Sequence, residues 1–180
     1  MNRAVFFDRD GTLVAEKNYL CRIPDVEIFP GTGLALKKLM DAGYQLIMVT
    51  NQSGIGRGYF TFAEAERVNE HVCQELARDG VRFEKIYLAP EAPDQPSRGR
   101  KPSPQFLFDA RDEFQIDLAQ SFMVGDKLID LECGWNAGVK KSLLVRTGYG
   151  AELIKMMPDK LGEAMIFDDL ASVTTWIVSQ

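Results

Sequence analysis

The sequence predicts an α/β fold, a three-layer α/β/α arrangement of the Rossmann-like kind with a mainly parallel central sheet. Two observations carry that expectation. Six short apolar runs, rich in β-branched and aromatic residues, recur along the chain with longer helical patterns between most of them. Those runs are nearly continuously apolar, as parallel strands covered on both faces are, rather than alternating as in a sheet with one wet face.

The expected strands are AVFF (4–7), QLIMVT (45–50), KIYLA (85–89), SFMVG (121–125), SLLVRT (142–147) and AMIF (164–167). Residues 30–44 place Leu34, Leu39 and Met40 near helical spacing and stop at Gly43. A second helix opens on Thr61 with Glu64 three residues on, the signature of a capping box. The only histidine, His71, lies on that helix without a motif partner. A third helix takes Ser103 as cap with Pro104 in its first turn, and a fourth covers 128–138, ending at Gly138. The segment after Gly150 reads as structural, and Phe6, Phe7, Phe29, Phe60 and Trp135 require only packing. Five of the eight prolines fall in 89–104, which reads as an ordered functional loop rather than a linker.

The chain has 180 residues, 46% hydrophobic and 26% charged, which suits a single domain spanning 1–180. No apolar stretch approaches the roughly 20 residues of a membrane span, and the start lacks the build of a signal peptide. A cytoplasmic protein, monomeric or a small homo-oligomer, is expected. Cys21, Cys73 and Cys133 are scattered without CxxC spacing, so they read as buried or free thiols. A net charge of −5 argues against nucleic acid or an anionic membrane as partner, yet leaves room for a small anionic ligand.

The chemistry gathers where strands end, which is where open parallel sheets bind ligands. Asp8 and Asp10 follow the first strand, Thr50, Asn51, Gln52 and Ser53 the second, Arg100 and Lys101 the third, and Asp126, Lys127 and Asp130 the fourth. Residues two apart in an extended tip point the same way, so Asp8 and Asp10 can face one ligand. With Asp126 they offer the oxygen donors that suit Mg²⁺, a hard ion that also binds substrate phosphate. One carboxylate can attack phosphorus while another handles protons. Gly11 frees the turn for backbone amides to approach phosphate oxygens. Thr50 and Lys101 complete the electrostatic cradle. Taken singly, DG is a common turn, GDK a helix start and Lys101 a surface lysine; four such groups on one rim favour the functional reading.

The stretches DRDGT, VTNQSG, RGRKP and GDKLID, in that order, resemble the four motifs of the haloacid dehalogenase (HAD) superfamily of phosphohydrolases. The resemblance implies Asp8 as nucleophile forming an aspartyl-phosphate, Asp10 as general acid/base, and Thr50 and Lys101 as phosphoryl ligands. It further implies Mg²⁺ held by Asp8, the Asp10 backbone carbonyl and Asp126, with Asp130 orienting the metal's surroundings rather than binding it. More narrowly, DRDGTLV, TNQSGIGRG, RKP, VGDKLID and LVRTGYG are similar to the heptose 1,7-bisphosphate phosphatases, with histidinol-phosphate phosphatases as near relatives. That group has no large cap domain, and the spacing here leaves no room for one. Its implied substrate is a small phosphorylated metabolite, a heptose bisphosphate foremost. Lys17, Asn18, Tyr19, Arg57, Arg100 and Lys127, with Asn51, Gln52 and Ser53, become candidates for holding it. The chain departs from the group in the loop before RKP, where APEAPDQPSRG carries no Cys or His, so no zinc is expected. Other readings are a phosphoacceptor signalling domain, a non-catalytic phosphate-binding protein and a nucleic-acid 3′-phosphatase. The placement of both aspartates after one strand, the intact acidic set and the acidic charge count against these in turn.

Overall fold

A computed structural model describes residues 1–180. Its centre is a six-stranded, wholly parallel sheet: β1 (Arg3–Phe7), β2 (Tyr44–Asn51), β3 (Lys85–Ala89), β4 (Phe122–Gly125), β5 (Lys141–Val145) and β6 (Met165–Phe167). The order is β3-β2-β1-β4-β5-β6. Each expected strand is present, its ends shifted by no more than two residues.

The helices are α1 (Thr32–Asp41), the single turn α2 (Ser53–Gly56), α3 (Phe62–Ala77), α4 (Gln105–Phe114), α5 (Leu128–Ala137), α6 (Gly150–Met156) and α7 (Leu170–Val178). Alternate residues of the inner strands face opposite layers. Val5, Phe7, Leu46 and Met48 pack with Leu36 and Leu39 of α1, Val68 and Val72 of α3, and Val173 and Ile177 of α7. Ala4, Phe6, Ile47 and Val49 pack with Leu107 and Ala110 of α4 and Cys133 and Ala137 of α5. This is why the inner strands are apolar at consecutive positions: period-two pleating sends every side chain into one of two cores.

The Thr61 capping box forms, with Thr61 Oγ1 accepting from the Glu64 amide and Glu64 accepting from the Thr61 amide. Two expectations need correction. Leu34 is two-thirds exposed, and α1 turns Ala35, Leu36 and Leu39 inward instead. The N-cap of α4 is Pro104, one residue past Ser103, whose hydroxyl still accepts from the Gln105 amide. The stretch after Gly150 is structural, as expected, contributing α6, β6 and α7.

No helix is long and apolar enough to cross a membrane. The connection from β1 to α1 contains one 3₁₀ turn, and residues 90–104 contain no helix or strand, so no cap layer stands over the strand ends. The loop is fastened within itself and to α2. Ser97 bonds Glu91 at 2.6 Å, Arg100 donates to the Glu91 carbonyl at 3.0 Å, and Gln95 reaches the Gly56 carbonyl at 3.3 Å.

Candidate active site

Strand order reverses on either side of β1, which opens the crevice of an open α/β sheet between β1 and β4. Asp8 follows β1 and Asp126 follows β4, so the two face each other across it. Asp130, on the first turn of α5, folds back over the end of β4. Gly125 makes that possible, because a side chain there would meet the Asp130 carboxyl at 2.3 Å. One oxygen from each of Asp8, Asp126 and Asp130 lies within 4.8 Å of the others, and all three are buried.

A single buried cation answers this acidic set. Lys101 Nζ donates to Asp8 Oδ1 at 2.8 Å and to the Val49 carbonyl at 2.7 Å. It also lies 2.6 Å from Asp130 Oδ1, in an ion pair whose angles fall outside hydrogen-bond geometry. Burial alone would depress the ammonium, but Asp130 and Asp8 hold it above its ordinary range. Burial raises Asp130 against the opposing pull of Lys101. Asp126 is pushed up to about 8 by burial, with Asp8 and Asp130 adding to the rise.

The donor chemistry fits a hard divalent cation. Asp126 Oδ2 accepts from the Tyr149 amide at 2.8 Å, whereas Asp126 Oδ1 is buried with no hydrogen-bond partner. A buried carboxylate oxygen without a donor is costly, and a cation held by oxygen ligands removes that cost. Gly11 adopts φ +83°, and a side chain there would sit 2.1 Å from Asp126 Oδ2, so the turn closes directly over the carboxylates. The Gly11 amide itself donates to the Val14 carbonyl at 2.7 Å, closing the turn.

Asp10 stands apart from the three-carboxylate group. Its oxygens accept from Arg9 Nη2 at 3.0 and 2.8 Å and from Gln52 Nε2 at 2.8 Å. Burial pushes its carboxyl up against the pull of Arg9. Gln52 also donates to Thr50 Oγ1 at 2.8 Å, tying the end of β2 to Asp10.

Beside Asp10 and Lys127 lies a polar pocket of about 210 Å³. Of the expected residues it gathers Asp10, Asn18, Tyr19, Asn51, Gln52, Ser53 and Lys127. Glu16, Leu20 and Tyr149 also line it, none of them anticipated from sequence. Lys127 Nζ pairs with Glu16 at 3.0 Å and lies 4.9 Å from the centre of the Tyr149 ring. Burial opposes that charge, yet Asp8, Asp126 and Glu16 hold the ammonium above its usual range.

One expected substrate contact in the lining is engaged within the protein, and three stand outside the pocket. Asn51 spends its carboxamide on the Lys101 backbone, accepting from the amide at 3.0 Å and donating to the carbonyl at 3.1 Å. Lys17 turns outward to Glu27 at 2.8 Å, in a neighbouring surface recess. Arg57 is exposed and Arg100 half-buried, both outside the pocket lining.

Comparisons with known proteins identify the family. A family model described as "HAD-hyrolase-like" matches residues 99–173, and one described as "Polynucleotide kinase 3 phosphatase" matches residues 3–130. The chain is 45% identical over 153 residues to the D-glycero-beta-D-manno-heptose-1,7-bisphosphate 7-phosphatase of Haemophilus ducreyi, covering 81% of this chain and 84% of that protein. It is 41% identical over 152 residues to the protein of the same name from Escherichia coli K12, covering 81% and 80% respectively. The crystal structure of D,D-heptose 1,7-bisphosphate phosphatase from B. bronchiseptica, complexed with magnesium and phosphate, superposes with a TM-score of 0.90 at 30% identity, over 98% of each chain. The chain belongs to the HAD family of hydrolases and is a phosphatase.

Proposed function

We propose that the protein is a Mg²⁺-dependent phosphomonoesterase that removes the 7-phosphate of D-glycero-D-manno-heptose 1,7-bisphosphate through an aspartyl-phosphate on Asp8. The observation that carries this reading is the buried group of Asp8, Asp126 and Asp130 with Lys101 as its only buried cation, beside a small polar pocket lined by Asp10 and Lys127. The names of the relatives support the choice of sugar.

Asp8, Asp126 and the Asp10 carbonyl would hold the metal. Asp130, buried in the same group, paired with Lys101 and accepting from the Lys127 amide, would orient the metal's surroundings. The bound cation supplies positive charge that offsets carboxylate repulsion and draws in the phosphoryl group.

The chain's own residues divide the rest of the work. Lys101 holds Asp8 Oδ1 and leaves the other carboxylate oxygen for attack on phosphorus. Lys101 and Thr50 answer the charge that develops on the transferring group. Asp10, pocket-lining and outside the metal-type cluster, gives a proton to the departing sugar oxygen and then takes one from water. Lys127, which lines the pocket, offers a cationic contact for the phosphate that remains on the sugar, and Arg57 and Arg100, outside the lining, are its further candidates. The three free thiols are consistent with a cytoplasmic setting.

The test is phosphate release with Mg²⁺ from both anomers of the heptose bisphosphate, histidinol phosphate, common sugar phosphates and a 3′-phosphorylated oligonucleotide. The expected result is strong turnover of one heptose bisphosphate anomer, abolished by EDTA and by Asp8→Asn. Preference for another ester would overturn the substrate assignment, and metal-independent release would overturn the metal site.

A further inference from the structure

Arg9 separates the two aspartates of the first motif, and its side chain is fully buried. Its guanidinium joins three elements. It grips both oxygens of Asp10, and Nη2 lies 3.4 Å from the Leu20 carbonyl in the pocket-lining segment. In the other direction Nη1 donates to Asn69 Oδ1 at 2.8 Å. Asn69 is itself buried on α3, flanked by Val68 and Val72, which anchor that helix in the core. A long arginine side chain has many rotamers, and a bidentate grip on Asp10 transmits its orientation directly. The rigid helix therefore sets the guanidinium, and the guanidinium sets the carboxylate.

We propose that Asn69 is a positioning residue which, through Arg9, aims the Asp10 carboxylate at the leaving-group oxygen of the substrate. The proposal rests on the reading of Asp10 as the proton-transfer group. In the first half-reaction the Asp8 carboxylate forms a bond to phosphorus as the bond to the sugar oxygen breaks. The freed electron pair on that oxygen takes the Asp10 proton. In the second half-reaction water bonds to phosphorus, its proton passes to Asp10, and the Asp8 carboxylate departs. A sugar alkoxide requires the first proton, whereas p-nitrophenolate leaves without it. A mis-aimed Asp10 therefore slows attack on a sugar phosphate and spares the first step with p-nitrophenyl phosphate. A structural role that only satisfies a buried arginine would affect both substrates alike.

The experiment compares the full-length wild type with Asn69→Leu, Asn69→Asp and Asp10→Asn, in Mg²⁺, on the heptose bisphosphate and on p-nitrophenyl phosphate in rapid-mixing mode. Asn69→Leu is expected to lower kcat on the sugar phosphate by about ten- to a hundredfold with KM little changed. The burst of p-nitrophenol should keep its rate. Asn69→Asp, which retains the acceptor for Arg9, should recover most of the loss. Should the leucine variant fail to fold, Asn69→Ala removes the same acceptor without crowding. Equal slowing of both first steps, or no slowing of either, would overturn the proposal. If Asp10→Asn itself shows no difference between the two esters, the reading of Asp10 fails first.

Discussion

Lys101 Nζ lies 2.8 Å from Asp8 Oδ1, with both side chains all but excluded from water. The pair joins the loop after β3 to the end of β1, and it puts one positive charge among three buried carboxylates. Removing one partner of such a pair leaves uncompensated buried charge, which costs about 3–5 kcal/mol. Lys101→Met should therefore lower both stability in urea and kcat, the latter by about a hundredfold or more. Added Mg²⁺ should restore part of the stability and little of the rate. A variant as stable as the wild type in EDTA would contradict the charge balance described here.

The metal-free protein should lose stability as pH rises. Burial, with Asp8 and Asp130 adding to it, pushes Asp126 in the folded protein up to about 8 from an ordinary 3.8. Between those values the folded state binds more protons than the unfolded state, so stability is greatest at the acid end of that window and declines through pH 8. Mg²⁺ takes the place of the proton. In thermal melts the EDTA-treated protein should therefore melt lower at pH 8.5 than at pH 6.5, and the rise in Tm on adding Mg²⁺ should be larger at pH 8.5. An equal response at both values would sink this linkage.

Gly11 and Gly138 both have positive φ, +83° and +73°, but only Gly11 has close neighbours. Gly138→Ala should cost about 1 kcal/mol from backbone strain alone. Gly11→Ala adds a collision with Asp126 Oδ2, so it should cost clearly more and blunt the Mg²⁺-dependent rise in Tm. Matching losses in urea titrations would show that the turn does not press on Asp126.

Asn51 clamps the Lys101 backbone through two hydrogen bonds. Asn51→Ala should cost about 1–2 kcal/mol of stability. It should also lower kcat about tenfold while leaving KM nearly unchanged, because it loosens the lysine rather than the sugar. A change confined to KM would instead return Asn51 to the substrate contacts.

Much of this architecture was legible in the residues. Continuous apolar runs announce strands buried on both faces. Asp8 and Asp126 meet because they follow the C-terminal ends of the neighbouring parallel strands β1 and β4, and Lys101 reaches them from the loop after β3, across the end of β2. Thr61 and Glu64 marked the start of α3 by local bonding alone. The parts that escaped depend on side-chain direction across long separations. Nothing local tells that Asn51 turns to Lys101 rather than to substrate, or that Lys17 turns outward to Glu27. Glu16 and Tyr149 reach the pocket from two separate loops and meet at Lys127, and Asn69 looks like an ordinary polar residue on a helix until Arg9 reaches it. Helix α7 escaped as well, since its buried Leu170, Val173 and Ile177 sit in a short, largely apolar stretch beside the chain end.

The most direct test of the account is to trap the covalent intermediate. The wild-type protein, with Mg²⁺ and the heptose bisphosphate under turnover, is treated with borohydride, which reduces an aspartyl-phosphate to homoserine, and the peptide bearing residues 8 and 10 is sequenced by mass spectrometry. The predicted result is homoserine at position 8 and intact aspartate at position 10, dependent on both substrate and metal. Homoserine at position 10, or none while phosphate is being released, would contradict it.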